Sequence, residues 1–400
     1  MPENISRRDF LKKLARVSLL IYAAPFLGNI LGLKGAHAKI GESRGLREAM
    51  FYQKLGDKTV QCLLCPRQCI LQDGVRSFCK VRENAGGTLK TLVYELPCAV
   101  HVDPIEKKPI YHMLPGSLAY SIATAGCNLR CKFCQNWQIS QMAPEDTENI
   151  KLPCSTVIEN AKRSGSISIA YTYSEPTVFY EYAIETAKLA RKAGIKNIFK
   201  TGGFINAAPL DEICNYLDAA NVDLKGFDKK YLGEICSEDL DTVLKGLLIY
   251  KRKGVWLEIT NLVVPTLNDD MGTIKKMCVW IKDNLGGDVP LHFSRFWPTY
   301  KLKNLYPTPI ETLIEARDTA MSVGLNFVYI GNIPDDPSNN TYCPSCKRLL
   351  IERKGYFIAQ NNIVNSSCRY CSKKIPGIWE LPKYQKNPRA AHSAVSKLMG

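Results

Sequence analysis

Eleven of the sixteen cysteines in this 400-residue sequence stand in three tight groups, and sulfurs so closely spaced face a common centre more readily than they pair with one another. The middle group, Cys127, Cys131 and Cys134, has the spacing C-x3-C-x2-C. Three thiolates can hold three irons of a [4Fe–4S] cluster and leave the fourth iron free for a substrate or cofactor. The alternative is zinc with a fourth ligand elsewhere. A second group, Cys343-x2-Cys346 and Cys368-x2-Cys371, has the knuckle spacing of a zinc ribbon. Zinc is the first choice for such an S4 site, a single iron the second, and two disulfides the alternative in an exported protein. The third group, Cys62, Cys65, Cys69 and Cys79, supplies four thiolates for zinc or a second cluster. It lacks the C-x2-C-x2-C run of bacterial ferredoxins, and composition does not choose between the two. Cys98, Cys154, Cys214, Cys236 and Cys278 are scattered and read as small core hydrophobes.

These thiols need a scaffold, and the central sequence describes one. Seven β-branched or apolar runs read as strands: Ser121 to Ala125, Ser168 to Tyr173, Asn197 to Thr201, Asn221 to Leu224, Val255 to Leu262, Leu291 to Phe296 and Phe327 to Ile330. Helical patterns such as Val178 to Ala193 and Thr273 to Asn284 separate them, which is the signature of parallel βα units. The expected fold is α/β, a full or partial (β/α) barrel with small Cys-rich modules at both ends. In such a barrel chemistry gathers at the C-terminal strand ends. Cys127 follows the first run there, Ser174-Glu175-Pro176 the second, Gly202-Gly203 the third and Lys225-Gly226 the fourth. The domain boundaries this implies are an N-terminal Cys-rich module over 39–115, the barrel over 116–335, a zinc-ribbon-like module over 336–382 and a polar tail over 383–400.

Composition is that of an ordinary soluble chain, with 46% hydrophobic and 23% charged residues, which argues against disorder and against a multi-pass membrane protein. The net charge of +15 forms no continuous basic tract, so specific nucleic-acid binding is not expected. Residues 1–38 resemble a twin-arginine (Tat) signal. Arg7 and Arg8 precede an apolar stretch from Leu14 to Leu33 and the A-x-A-like Ala36-His37-Ala38. The alternative is a membrane-anchoring helix. The expected location is therefore membrane-associated or periplasmic through the Tat export machinery, with the cytoplasm as the alternative.

The cysteine loop, with Phe133 before its third thiol, resembles the C-x3-C-x-Φ-C pattern of the radical S-adenosylmethionine (SAM) superfamily. Over about Cys62 to Trp379 the sequence is most similar to the pyruvate formate-lyase-activating-enzyme-like group, and within it to the radical SAM member of the AmmeMemoRadiSam system. The strings that carry this include Cys-Leu-Leu-Cys-Pro-Arg-Gln-Cys at 62 to 69, Asp-Pro-Ile-Glu-Lys-Lys-Pro-Ile-Tyr-His at 103 to 112 and Ala-Tyr-Thr-Tyr-Ser-Glu-Pro-Thr at 170 to 177. Others are Asp-Leu-Lys-Gly-Phe at 223 to 227, Leu-His-Phe-Ser-Arg-Phe at 291 to 296 and Tyr-Cys-Pro-Ser-Cys at 342 to 346.

The resemblance implies that SAM chelates the open iron and is cleaved reductively to a 5′-deoxyadenosyl radical, which abstracts hydrogen from a protein or small-molecule substrate. Activation of a glycyl-radical partner is one version. It also implies a low-potential electron donor or reductase, and company with Ammecr-like and Memo-like proteins. Ser174, Glu175 and Pro176 occupy the place that meets the SAM amine, although a carboxylate there also suits a helix N-terminus. Gly202 and Gly203 allow close approach of the cofactor or form a plain turn. Activating enzymes carry an acidic residue near this third strand, where this chain has Lys200 and Thr201. Asp223 and Lys225, two residues apart, are expected to share a face and pair at the cofactor pocket, or else at the surface. His292, Ser294 and Arg295 are candidates for meeting a carboxylate or substrate. The competing function is an exported iron–sulfur electron-transfer or metal-carrying protein without SAM chemistry.

Overall fold

The computed structural model describes residues 46–333 and 336–380. The Tat-like segment with Arg7, Arg8 and Ala36-His37-Ala38, and the polar tail, lie outside the described residues. No helix among the described residues is long and apolar enough to cross a membrane.

Two small antiparallel sheets begin the described chain. Strands β1 (Arg47–Glu48), β6 (Thr88–Thr91) and β5 (Arg82–Ala85) form one, and β2 (Tyr52–Gly56), β3 (Thr59–Cys62) and β4 (Ile70–Leu71) the other. Neither is large enough to be stable alone. Their apolar residues, Val60, Leu64, Leu71, Val81 and Leu89, merge with the barrel core.

The central sheet has eight strands in the order β14-β13-β12-β11-β10-β9-β8-β7. They are β7 (Ala99–Pro104), β8 (Leu118–Ala123), β9 (Ser168–Tyr171), β10 (Lys196–Thr201), β11 (Ala219–Asp223), β12 (Trp256–Val263), β13 (Leu291–Arg295) and β14 (Val328–Gly331). From β9 to β14 each strand runs parallel to its predecessor, as the seven apolar runs require. The sheet is not closed, so the barrel is partial. Strand β7 falls within the segment assigned from sequence to the N-terminal module, yet it pairs antiparallel with β8 from Ala99↔Ala123 to Pro104↔Leu118 and so covers the edge of the barrel sheet.

Six helices make the crossovers: α1 (Cys154–Arg163), α2 (Tyr180–Lys192), α3 (Ala207–Cys214), α4 (Leu240–Arg252), α5 (Met271–Leu285) and α6 (Ile310–Val323). In α1 the buried residues are Cys154, Val157, Ile158 and Ala161, the i, i+3, i+4, i+7 set of one helical face. Asp239 and Asp270 cap α4 and α5 by accepting from the backbone N–H of Thr242 and Thr273, each at 2.8 Å. Strands such as β9 are buried along their whole length, because a parallel sheet is covered on both faces.

The N-terminal ends of the barrel strands close around Glu258 on β12. Its carboxylate accepts from the backbone of Tyr111 and His112 and lies 2.7 Å from His292 Nε2. The C-terminal module packs at this end. It consists of β15 (Thr341–Tyr342), β16 (Leu349–Lys354) and β17 (Phe357–Asn361), followed by the pair β18 (Ile363–Val364) and β19 (Ser367–Cys368). Arg353, fully buried, stacks over Tyr111 at 4.0 Å and donates to its carbonyl oxygen at 2.9 Å.

Candidate active site

The C-terminal ends of the seven parallel strands converge on one cavity of about 450 Å³, within the size range of small-molecule sites. Cys127, Cys131 and Cys134 form one wall. They lie on the loop after β8, which is braced from outside. A π-helical turn at Leu232–Cys236 accepts the backbone N–H of Arg130 and of Lys132, each at 2.9 Å. Cys236, read from sequence as core filler, lies there with its thiol hydrogen-bonded to that of Cys131. Phe133 is buried beside the loop. Burial pushes the Cys127 thiol well above its usual range, so it sheds its proton only when a metal replaces that proton.

Glu175 has the helix-terminus role read from the sequence. It caps the turn starting at Pro176 by accepting from Thr177 N–H at 3.2 Å, and it lines the cavity. The same carboxylate accepts from Thr201 Oγ1 at 2.6 Å and from Gly202 N–H at 2.8 Å, tying the ends of β9 and β10 together. Gly202 gives close approach to two side-chain ends that would have to shift for any larger residue. A Cβ there would stand 2.6 Å from Lys225 Nζ and 2.7 Å from Leu129 Cδ1. Ser174 presents a buried hydroxyl with no partner among the described residues. Pro176 and Gly203 stand behind this wall and do not line the cavity.

Asp223 and Lys225 both reach the cavity but do not pair with each other. Strand β11 ends at Asp223, so the alternation that would put residues two apart on one face no longer holds at Lys225. Asp223 pairs instead with Lys200, which also donates to Asn221 Oδ1 at 2.7 Å. Lys225 pairs with Glu238 at 3.3 Å. Burial pushes the Glu238 carboxyl up to about 7 despite its partner.

His292 and Arg295 do not line the cavity. His292 lies near the start of β13, in the Glu258 network at the opposite end of the barrel, and Arg295 turns outward to the Thr308 carbonyl oxygen at 2.8 Å and over the Trp297 ring. Of that trio Ser294 alone reaches the cavity.

A wall that sequence reasoning missed comes from Lys107, Lys108 and Pro109, just after β7. Asp103 accepts from Lys108 and Lys107, and from the hydroxyl of Tyr173. Burial alone would raise the Asp103 carboxyl, but these donors hold it well below the usual carboxylate range. Burial lowers the Lys108 ammonium to about 8. Tyr173 takes a left-handed backbone with φ +61°, the residue type and conformation that mark a position fixed by its surroundings. The 103 to 112 string was the available signal, but spacing alone does not say that an antiparallel edge strand brings it to the cavity.

The four C-terminal thiols lie within 4.8 Å of one another, with Cys343 to Cys371 at 3.6 Å and Cys346 to Cys368 at 3.7 Å. A disulfide needs about 2.0 Å, so these pairs are not bridged. Sulfurs bound to one ion at about 2.3 Å in a tetrahedron stand at about the observed spacing. The N-terminal thiols Cys62, Cys65, Cys69 and Cys79 line a separate small cavity with Arg82, Asn128 and Thr177. Burial pushes the Cys65 thiol up to about 12.

The profile of the Radical SAM superfamily matches residues 121–278. An uncharacterised protein of Methanocaldococcus jannaschii is 43% identical over 335 residues, which cover 82% of this chain and 99% of that one. A pyruvate formate-lyase-activating enzyme of Staphylococcus epidermidis is 26% identical over 239 residues, 55% of this chain and 92% of its own length. Among solved structures, a radical SAM methyltransferase from Sphaerobacter thermophilus aligns over 72% of this chain and 76% of that one, with a TM-score of 0.46 and 11% identity.

Proposed function

The chain belongs to the radical SAM superfamily, and from that premise we propose that it cleaves SAM reductively at a [4Fe–4S] cluster held by Cys127, Cys131 and Cys134 to abstract hydrogen from a substrate. The observation that carries this reading is the convergence of three thiols and seven strand ends on one cavity, with an unpartnered Ser174 hydroxyl and the Gly202 cradle in its wall. When bound, the cluster supplies an open iron and a low-potential electron. The residues of the chain do the rest. Leu129, Phe133 and Leu262 keep the cavity apolar near the cluster loop. Glu175 fixes the ends of β9 and β10, and Gly202 leaves room for Lys225 to extend into the space beside them.

Similarity to activating enzymes supports a protein substrate, of which a glycyl-radical partner is one case. A reductase, Ammecr-like and Memo-like partners, and Tat-dependent delivery to the membrane or beyond it belong to the same proposal and rest on sequence resemblance. The C-terminal thiols hold structural zinc in this reading, because a d¹⁰ ion takes four thiolates tetrahedrally without redox chemistry.

The test is anaerobic incubation with SAM and dithionite. The parent should form 5′-deoxyadenosine and the Cys127→Ala, Cys131→Ala, Cys134→Ala variant none, with its zinc unchanged. Equal product from both would sink the assignment.

A further inference from the structure

We propose that Cys62, Cys65, Cys69 and Cys79 hold a second iron–sulfur cluster, of the [4Fe–4S] type, directly behind the loop that carries the first. Four thiols can serve one ion or a cluster, and geometry separates the two. A single ion held by four sulfurs at about 2.3 Å leaves no space for water between the sulfur surfaces. These four thiols line a small cavity that they share with Arg67, Arg82 and Asn128. The set of three or more ligand atoms gathered within 4.8 Å among the described residues is the C-terminal one, and no three of these four thiols meet that limit. A cube of four irons and four sulfides needs both the enclosed space and the wider sulfur spacing.

The surroundings are built for a buried anion. Arg82 is 1% exposed, its Nη1 lies 3.6 Å from Cys62 Sγ, and its Nε has no partner among the described residues. Ser77 Oγ lies 3.0 Å from Cys79 Sγ. Leu64, Phe78 and Val178 add apolar contacts, and Arg67, Asn128 and Thr177 complete the lining. The Arg82 guanidinium also pairs with buried Glu181, so what it offers the sulfurs is a hydrogen-bond donor held in a fixed place. Hydrogen bonds and charge next to cluster sulfurs also set the reduction potential.

The site adjoins the central cavity. Cys127 lines the central cavity and Asn128, the next residue, lines this one, while Glu175 and Thr177 stand on the same two sides. Arg67 Nε donates to the Asn128 carbonyl oxygen at 3.1 Å and so holds the shared loop from the N-terminal side.

The test uses the full chain, reconstituted anaerobically with iron and sulfide. The Cys127→Ala, Cys131→Ala, Cys134→Ala variant removes the first cluster and makes the result independent of any SAM chemistry. It should keep about half of the parent's iron and sulfide and, once reduced, a paramagnetic signal that SAM does not alter. Adding Cys65→Ser and Cys69→Ser should take iron to background, with the C-terminal metal as the control for folding. Should that combination not fold, Mössbauer spectra of the parent decide. About half of the iron should respond to SAM and half should not. A triple variant without iron but with two zinc ions per chain, or a parent whose iron all responds to SAM, overturns the proposal.

Discussion

At the carboxy-terminal end four sulfurs crowd within 4.8 Å of each other in a small module, with Cys371 open to solvent. At the amino-terminal end four others stand apart around an enclosed space, facing a buried arginine that is anchored on the barrel. The count of ligands is the same, and the spacing in sequence separates the groups only weakly. What differs is the supporting structure. The first site brings its own short strands, whereas the second borrows its walls from the turn before α2 and from the cysteine loop. A metal in the first therefore stabilises a module, and a metal in the second is tied to the core.

The largest effect should come from breaking the carboxy-terminal site. Structural zinc contributes about 10–16 kcal/mol in small domains. Cys343→Ser should therefore unfold residues 341 to 371, detected as rapid protease cleavage there with the iron content unchanged. Equal protection in variant and parent would show that the module does not need its metal.

The next largest effect should come from Arg82. Its guanidinium pairs with Glu181 of α2, which also accepts from Met50 N–H at 2.6 Å. Arg82→Met leaves a carboxylate buried without its partner, a loss of about 3–5 kcal/mol. Hydrogen exchange should rise in residues 47 to 91 but not in residues 341 to 371. A uniform rise over both ends would erase the distinction drawn between them.

Acid should act in the opposite place. His112 stacks on Trp256 and lies tilted against Trp379, and burial lowers its imidazole to about 4. Between pH 6.5 and 4 the unfolded chain takes up a proton that the folded chain refuses. Stability thus falls as pH drops through that window, by up to about 3 kcal/mol. Urea midpoints should decline there in the parent and decline less in His112→Gln. Parallel slopes would assign the acid sensitivity to other groups.

The smallest effect should follow from Gly202→Ala, whose added methyl meets Lys225 and Leu129. Overpacking of this kind costs about 1–3 kcal/mol. SAM binding should weaken about tenfold or more while the metals at both ends stay in place. Loss of either metal would mean that the central cavity and the end sites are not independent.

Much of this was legible in sequence, and the exceptions share a cause. The seven parallel strands could be read because each is a compact apolar run, and the cluster loop because its ligands are local. The Asp223 and Lys225 pairing was misread because the strand ends between them, and His292 because its distance along β13 decides which end of the barrel it faces. The role of β7 and Lys108 depends on an edge pairing between segments that propensity does not link. Cys236 looked solitary because the π-helical turn that carries it to Cys131 is recognisable only in three dimensions.

The order of the strands bears on how the protein is made. Position in the sheet follows position in the chain from β7 to β14, so each strand finds its neighbour already present as synthesis proceeds. The cysteine loop emerges right after the first two strands, whereas Tyr356, which lines the cavity from the C-terminal module, emerges near the end. During that interval the loop faces solvent across a half-built wall. Iron delivery is easiest then, and a nascent chain released between β12 and β14 should accept iron faster than the finished protein stripped of its own.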